Sequence, residues 1–280
     1  MSLKIWSYNP GSHTAILLAQ RVRGRVLASP EETRFTPRRG DFIINYGNSE
    51  FTDKITSRGV YTEGYNLINH PAHVKEFSNK LNGFEHLENE CDIATVPWTD
   101  VTSVVQSWLD NRFDVVARHT LTGHSGRGIQ ILTPEEFAFG RAEIPRCRLY
   151  TMYVKKSKEW RLHVFQKSTG DHEFLWQQKR RRIDCAEPDW QIRNYENGFI
   201  YAVEDVQKPP NYEEIQNQLA HCVDLSFYAV DLLMPNSSNP REIRHHGASI
   251  LEINSAPGLQ SDTLLDWYQA NLQERINAAR

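Results

Sequence analysis

Apolar positions recur along the first seventy residues in short runs at 3–8, 25–28 and 41–45 that read as strands, around a helical stretch from a Ser12 cap to Arg21. That rhythm predicts a small α/β unit. Pro71 suits the first turn of a helix running toward Leu81, and Thr99 with Asp100 opens another that reaches Asn111. From Phe113 the period shortens, and 113–118, 128–132, 148–154, 161–166 and 173–176 are predicted strands of an antiparallel sheet. Asn211, three residues before Glu214, resembles a capping box and predicts a helix to about Asp224. Two apolar strands follow at 227–233 and 249–253, and a last helix starts near Ser261.

Composition narrows the classes of function. With 39% hydrophobic and 24% charged residues in 280, the chain is ordinary for a globular protein and long enough for a large core or a few subdomains. A net charge of −3 argues against a protein that coats nucleic acid. Cys91, Cys147, Cys185 and Cys222 form no CxxC pair, so reduced cysteines in a cytoplasm are expected. The first ten residues lack a signal-peptide core, and the longest apolar run, 15–19, is too short to cross a bilayer.

The most informative segment is Ile250-Leu251-Glu252-Ile253-Asn254. Strand side chains alternate, so Glu252 and Asn254 share a face and offer two oxygen ligands. Asp231 places a third oxygen ligand inside the apolar strand 227–233, where an unpaired carboxylate would be costly. These three fit Mg²⁺, which takes oxygen ligands and one or two carboxylates beside substrate phosphates. The competing reading pairs Asp231 with a neighbouring Arg and leaves Asn254 to start the turn before Pro257 and Gly258.

Between two predicted strands lies Thr122-Gly123-His124-Ser125-Gly126-Arg127-Gly128, whose glycines would let backbone N–H groups approach phosphate oxygens. It is neither a P-loop nor a GxGxxG turn, and by itself it reads more readily as an ordinary hairpin turn. Arg118, just before it, suits a forked phosphate contact or a structural ion pair.

In this order the pieces resemble the ATP-grasp superfamily, nearest to the branch of the ribosomal-protein glutamate ligase and related amino-acid ligases, over roughly residues 70–265. "NHPAHVKEFSNKL" looks like the stretch that supplies the first phosphate-binding lysine, implying Lys80, with Lys75 as competitor. "FDVVARHTLTGHSGRGIQIL" looks like the paired strands around the phosphate loop, with Arg118 where a second lysine usually stands and Gly123, Ser125, Gly126 and Gly128 in the loop. "LYTMYVKKSKEWRLHVF" is similar to the adenine hinge. It implies Tyr153, Val154 and Lys155 for the base, Glu159 for the ribose and Arg161 toward the phosphates; Met152 stands where relatives often have an acid. "WQIRNYENG" implies Arg193 as the residue stabilising the transferred phosphoryl group. "FYAVDLLM" and "ILEINSAPGL" match the metal strands, carrying Asp231, Glu252 and Asn254.

The resemblance implies an α/β (α+β) chain with an N-terminal α/β subdomain (1–70), a central subdomain with the phosphate loop (71–155) and a C-terminal subdomain with the metal site (156–280). It implies an ADP-forming carboxylate–amine ligase using ATP and two Mg²⁺ ions, with Mn²⁺ as a substitute, acting through an acyl phosphate. Small-molecule or peptide carboxylates and amines are its expected substrates, without a membrane partner. A small-molecule kinase on the same fold and a non-catalytic nucleotide-binding protein are the alternatives.

Lys179 heads a basic run, 179–182, that reads as a phosphate or acidic-substrate contact, a solvated face or a nucleic-acid contact. His245-His246 and His221-Cys222 lack zinc-site spacing, and no Gly-x-Ser-x-Gly elbow is present. Asn9, Gly11, Ser12 and the segment 44–48 are expected on the acceptor side of the cleft.

Overall fold

The computed structural model describes residues 2–27, 35, 37–49, 66–122, 128–137, 142–236 and 247–279. Three sheets organise them. The first is parallel, in the order β2-β1-β3-β4, with β1 Leu3–Ser7, β2 Arg25–Val26, β3 Phe42–Tyr46 and β4 Asn66–Ile68. Every residue of β3 is buried, as a parallel strand covered on both faces requires. Phe42, Ile44 and Tyr46 pack with helix α1 (His13–Arg21) and the last helix α7 (Asp262–Ala278), while Ile43 packs on Trp6 and Leu27. Ser12 and Ser261 cap these two helices, accepting from the N–H groups of Ala15 at 3.4 Å and Leu264 at 3.2 Å. Arg21 pairs with Asp262 and Asp266 across them.

The second sheet is antiparallel, ordered β5-β8-β6-β7, from β5 Trp98–Thr99, β6 Val115–Arg118, β7 Ile129–Leu132 and β8 Leu149–Met152. Helix α4 (Thr102–Asp110) lays Val105 and Leu109 on Val115, Ala117, Leu132 and Tyr150. Alternation therefore turns Val116 and Arg118 to the other face.

The third sheet is ordered β11-β10-β9-β12-β13, all antiparallel, from β9 Lys156–Gln166, β10 His172–Arg181, β11 Phe199–Ala202, β12 Phe227–Pro235 and β13 Ser249–Asn254. One face buries Trp160, Leu162, Val164, Trp176, Val230 and Leu232 against helices α2 (Pro71–Ser78), α3 (Lys80–Asn89) and α6 (Tyr212–Cys222). A short helix, α5 (Pro134–Phe137), follows β7. Among the described residues no helix is long and apolar enough to cross a membrane.

The fold alters three expectations. The helix predicted from Pro71 toward Leu81 is two helices, because Asn79 is extended and its side-chain oxygen accepts from the Leu81 N–H at 3.0 Å, restarting the helix. Asn211 stands at the N-cap of α6 as expected, but its side chain makes no capping bond; it accepts from the Ala248 N–H at 2.8 Å and donates to the Ala248 carbonyl at 3.1 Å. Cys91 and Cys222 are joined in a disulfide, against the expectation of reduced cysteines. A sequence separation of 131 hides the pairing. In space α3 and α6 pack on the same face of the third sheet, and both cysteines stand at or just past their C-terminal ends.

Candidate functional site

The polar face of the third sheet is built by strand register. Arg161 on β9 is the direct neighbour of Asp231 on β12, which is the direct neighbour of Glu252 on β13. Glu159 and Lys179 lie on the same side, and Tyr201 on β11 is paired with Lys179. Opposite this face stand Val116, Arg118, Ile129, Ile131 and Thr151 of the second sheet, enclosing a cleft of about 860 Å³.

The ion pairs divide the cleft into three groups. Arg161 grips Asp231 with Nε donating to Oδ1 at 2.6 Å and an Nη donating to Oδ2 at 2.8 Å. Burial alone would raise the Asp231 pKa, but the Arg161 guanidinium outweighs it and holds the carboxyl below its ordinary value. Lys80, at the first residue of α3, places Nζ 2.7 Å from Glu252 Oε2, and the Asn254 amide donates to Glu252 Oε1 at 3.3 Å. Glu159, 3% exposed, gathers Lys179 at 2.7 Å, Lys156 at 3.0 Å and Arg193 at 3.7 Å. Its burial would raise its pKa, yet Lys179 and Lys156 win and keep it ionised.

Arg118 is half-buried in the cleft wall, and its buried Nε has no hydrogen-bond partner among the described residues. Burial lowers its pKa, opposed by the charge of Glu252. A half-buried guanidinium that lines a cleft with one N–H unpaired is suited to bind an anion.

Of the residues singled out from sequence, Lys80, Arg118, Tyr153, Val154, Glu159, Arg161, Lys179, Arg193, Asp231, Glu252 and Asn254 all line this one cleft. Lys75 is exposed on α2, away from it. Lys155 is also exposed, and its neighbour Lys156 lines the cleft in its stead. Two backbone groups of the hinge are already engaged: the Tyr153 N–H donates to Asp114 O at 2.8 Å, and the Lys155 carbonyl accepts from Asn236 at 2.7 Å. Gly123, Ser125 and Gly126 lie outside the described residues. Gly128 is described, with φ +69°, and a Cβ there would meet the Thr120 hydroxyl at 2.8 Å.

Within the basic run, alternation sends Lys179 into the cleft while its neighbours bind locally. Arg180 donates to the Glu204 and Asp205 carbonyls, Arg181 to the Cys185 carbonyl, and Arg182 pairs with Asp184. The N-terminal unit closes one end through Tyr8, Ser12, Tyr46, Gly47 and Ser49. The Tyr46 hydroxyl donates to the Pro257 carbonyl, and Gly47, at φ +78°, lies so close to Ala256 that a Cβ would come within 2.6 Å of it.

Sequence reasoning missed Lys156 and Tyr201. Tyr201 carries the Arg161 guanidinium 4.4 Å and the Lys179 ammonium 4.6 Å from its ring centroid. Burial first, then Asp231, push its phenol up to about 12. The available signal was the short apolar run after Gly198, too brief to read as a strand.

No family model matches the chain, and no curated protein matches it in sequence. Solved structures do. D-alanyl-alanine synthetase A from Vibrio cholerae aligns with TM-score 0.65 at 12% identity, over 99% of this chain and 98% of that one. N5-carboxyaminoimidazole synthetase from Staphylococcus aureus, complexed with ADP, aligns with TM-score 0.64 at 13% identity, over 98% of this chain and 77% of that one. The ATP-grasp ligase PsnB, complexed with a minimal precursor, aligns with TM-score 0.63 at 12% identity, over 98% and 99%. The chain has the ATP-grasp fold.

Proposed function

We propose that the chain is an ATP-dependent carboxylate–amine ligase that activates a carboxylate as an acyl phosphate and releases ADP and phosphate. The observation that carries this reading is the row Arg161, Asp231, Glu252, with Asn254 beside it, Lys80 paired to Glu252 and Arg118 lining the same cleft. Cations for a polyphosphate and oxygen ligands for a metal share the same space.

The donor set fits a hard divalent ion. It consists of two carboxylates and an amide oxygen, and no group of three or more His, Cys, Asp and Glu side chains occurs among the described residues. Asp231, Glu252 and Asn254 would hold two Mg²⁺, or Mn²⁺ in their place, and the metal would neutralise charge on the transferring phosphoryl group.

The remaining roles belong to the chain's own residues. Arg118 and Lys80 would hold phosphate oxygens. Tyr153, Val154 and Lys155 would hold adenine through the hinge backbone groups still unengaged, and Glu159 the ribose. Arg161, Lys179 and Arg193 would meet charge developing on the phosphoryl group and on the acyl phosphate. Closure of the cleft would keep water from that reactive intermediate until an amine displaces phosphate. Small-molecule or peptide acids and amines are the substrates this cleft would take, in a cytoplasm that supplies ATP.

The test is ADP release from purified protein with Mg-ATP and a pooled panel of amino acids, small acids and amines, with product masses read in parallel. A product lighter than its two substrates by one water supports the ligase. A stable phosphorylated product without an amide would identify a kinase instead, and ATP binding without turnover a non-catalytic nucleotide-binding protein.

A further inference from the structure

A second chemical grouping lies outside the cleft. Cys147, in the loop before β8, places Sγ 3.4 Å from His119 Nδ1, and His119 Nε2 lies 3.2 Å from Gln130 Oε1 on β7. An amide oxygen only accepts, so Gln130 fixes the proton on Nε2 and leaves the Nδ1 lone pair facing the thiol. A nucleophile, a base and a group that orients the base thus come from three separate segments of the second sheet.

The surroundings make the grouping usable. His119 is exposed and Cys147 half-buried, so a reagent in solvent can reach the sulfur. The Cys147 N–H donates to the Tyr150 hydroxyl at 2.8 Å, which pins the loop. Burial pushes the thiol pKa up, so the sulfur rests protonated and needs the neighbouring base to react. The position is also consequential. His119 directly follows the cleft residue Arg118, and its N–H donates to the Gly128 carbonyl at 2.8 Å.

We propose that Cys147, His119 and Gln130 form a base-assisted thiol site that accepts a low-molecular-weight disulfide and holds one half of it as a mixed disulfide. His119 Nδ1 takes the thiol proton as Cys147 Sγ attacks one sulfur of the incoming disulfide. The disulfide's S–S bond breaks as the new one forms, and the departing thiolate takes the proton back from the imidazolium. The incoming disulfide is the oxidant, and one thiol leaves for each cap formed.

Cys185 supplies an internal reference: it is free and half-buried like Cys147, and it packs on Gly198. The full chain is exposed to oxidised glutathione, and separately to iodoacetamide, for timed intervals, and modification of each cysteine is read by peptide mass. Cys147 is expected to react about tenfold or more faster than Cys185, with His119→Ala bringing it down to the Cys185 rate and Gln130→Leu falling between. A Cys147 rate at or below that of Cys185 in the unmutated protein overturns the proposal without any variant. So does an unchanged Cys147 rate in a folded His119→Ala protein.

Discussion

Asp231 and Arg161 face each other across β12 and β9 with both carboxylate oxygens and two guanidinium nitrogens engaged, at 2.6 and 2.8 Å. Of the two readings of Asp231, the ion-pair partner is the one seen: the pair holds the carboxylate ionised on the cleft face beside Glu252. Asp231→Asn leaves a buried guanidinium without its counter-charge, and about 3–5 kcal/mol of stability should go with it. Urea denaturation measures this, and a midpoint equal to the parent's would show that Arg161 is supported by something else.

Glu252 should behave differently although it is the next residue in the same row. It is more exposed, and its partners Lys80 and Asn254 also reach the cleft. Glu252→Gln is expected to change stability by less than about 1 kcal/mol while lowering Mg-dependent ADP release about a hundredfold or more. Retained turnover would remove Glu252 from the metal site.

Tyr201 is expected to act through its ring. Two cations of the same sign, Arg161 and Lys179, approach one aromatic ring, which offsets part of their mutual repulsion. Tyr201→Phe should keep ADP release within about twofold, whereas Tyr201→Leu should lose about tenfold in kcat/KM for ATP. Equal losses in both variants would mean that the hydroxyl, not the ring, is what counts.

What was legible in the sequence follows from period and length. β12 is an apolar strand interrupted by Asp231, and β13 ends with Glu252 and Asn254 at alternate positions, so the face these two share follows from the alternation alone. The cluster around Glu159 could not be read in that way. It joins Lys156 and Lys179 from two strands and Arg193 from a loop, and no local pattern encodes that meeting. β11 was too short to stand out, which is why Tyr201 was missed. The break at Asn79 was equally hidden, because 71–81 keeps good helix formers on both sides of a residue that caps as readily as it continues.

His163 sets an acid limit on the fold. It is buried between the Tyr268 hydroxyl at 3.1 Å and Gln177 at 2.9 Å, and burial, then the Arg161 charge, pull its pKa down to about 3. An unfolded histidine titrates near 6.5, so between about pH 6.5 and 3 the unfolded chain binds the proton that the folded one refuses. Stability should therefore fall with decreasing pH through that window by up to about 1.4 kcal/mol per unit from this residue. His70 and His172 act in the same direction, so the comparison must be with a variant. His163→Asn should show a flatter stability profile between pH 7 and 5, and an identical slope would mean that His163 is not the residue responsible.

The disulfide between Cys91 and Cys222 ties the residue just past α3 to the end of α6. Because α3 begins at Lys80, the link fixes the far end of the helix that carries a cleft cation. Closing so long a loop restricts the unfolded chain, and its loss should cost about 2–5 kcal/mol. Cys91→Ser and full reduction should lower the urea midpoint by the same amount, since each removes the same covalent link. Reduction should have no further effect on the Cys91→Ser protein. If both thiols are alkylated in native protein purified without reductant, the pairing does not form in solution, and the expectation of reduced cysteines stands.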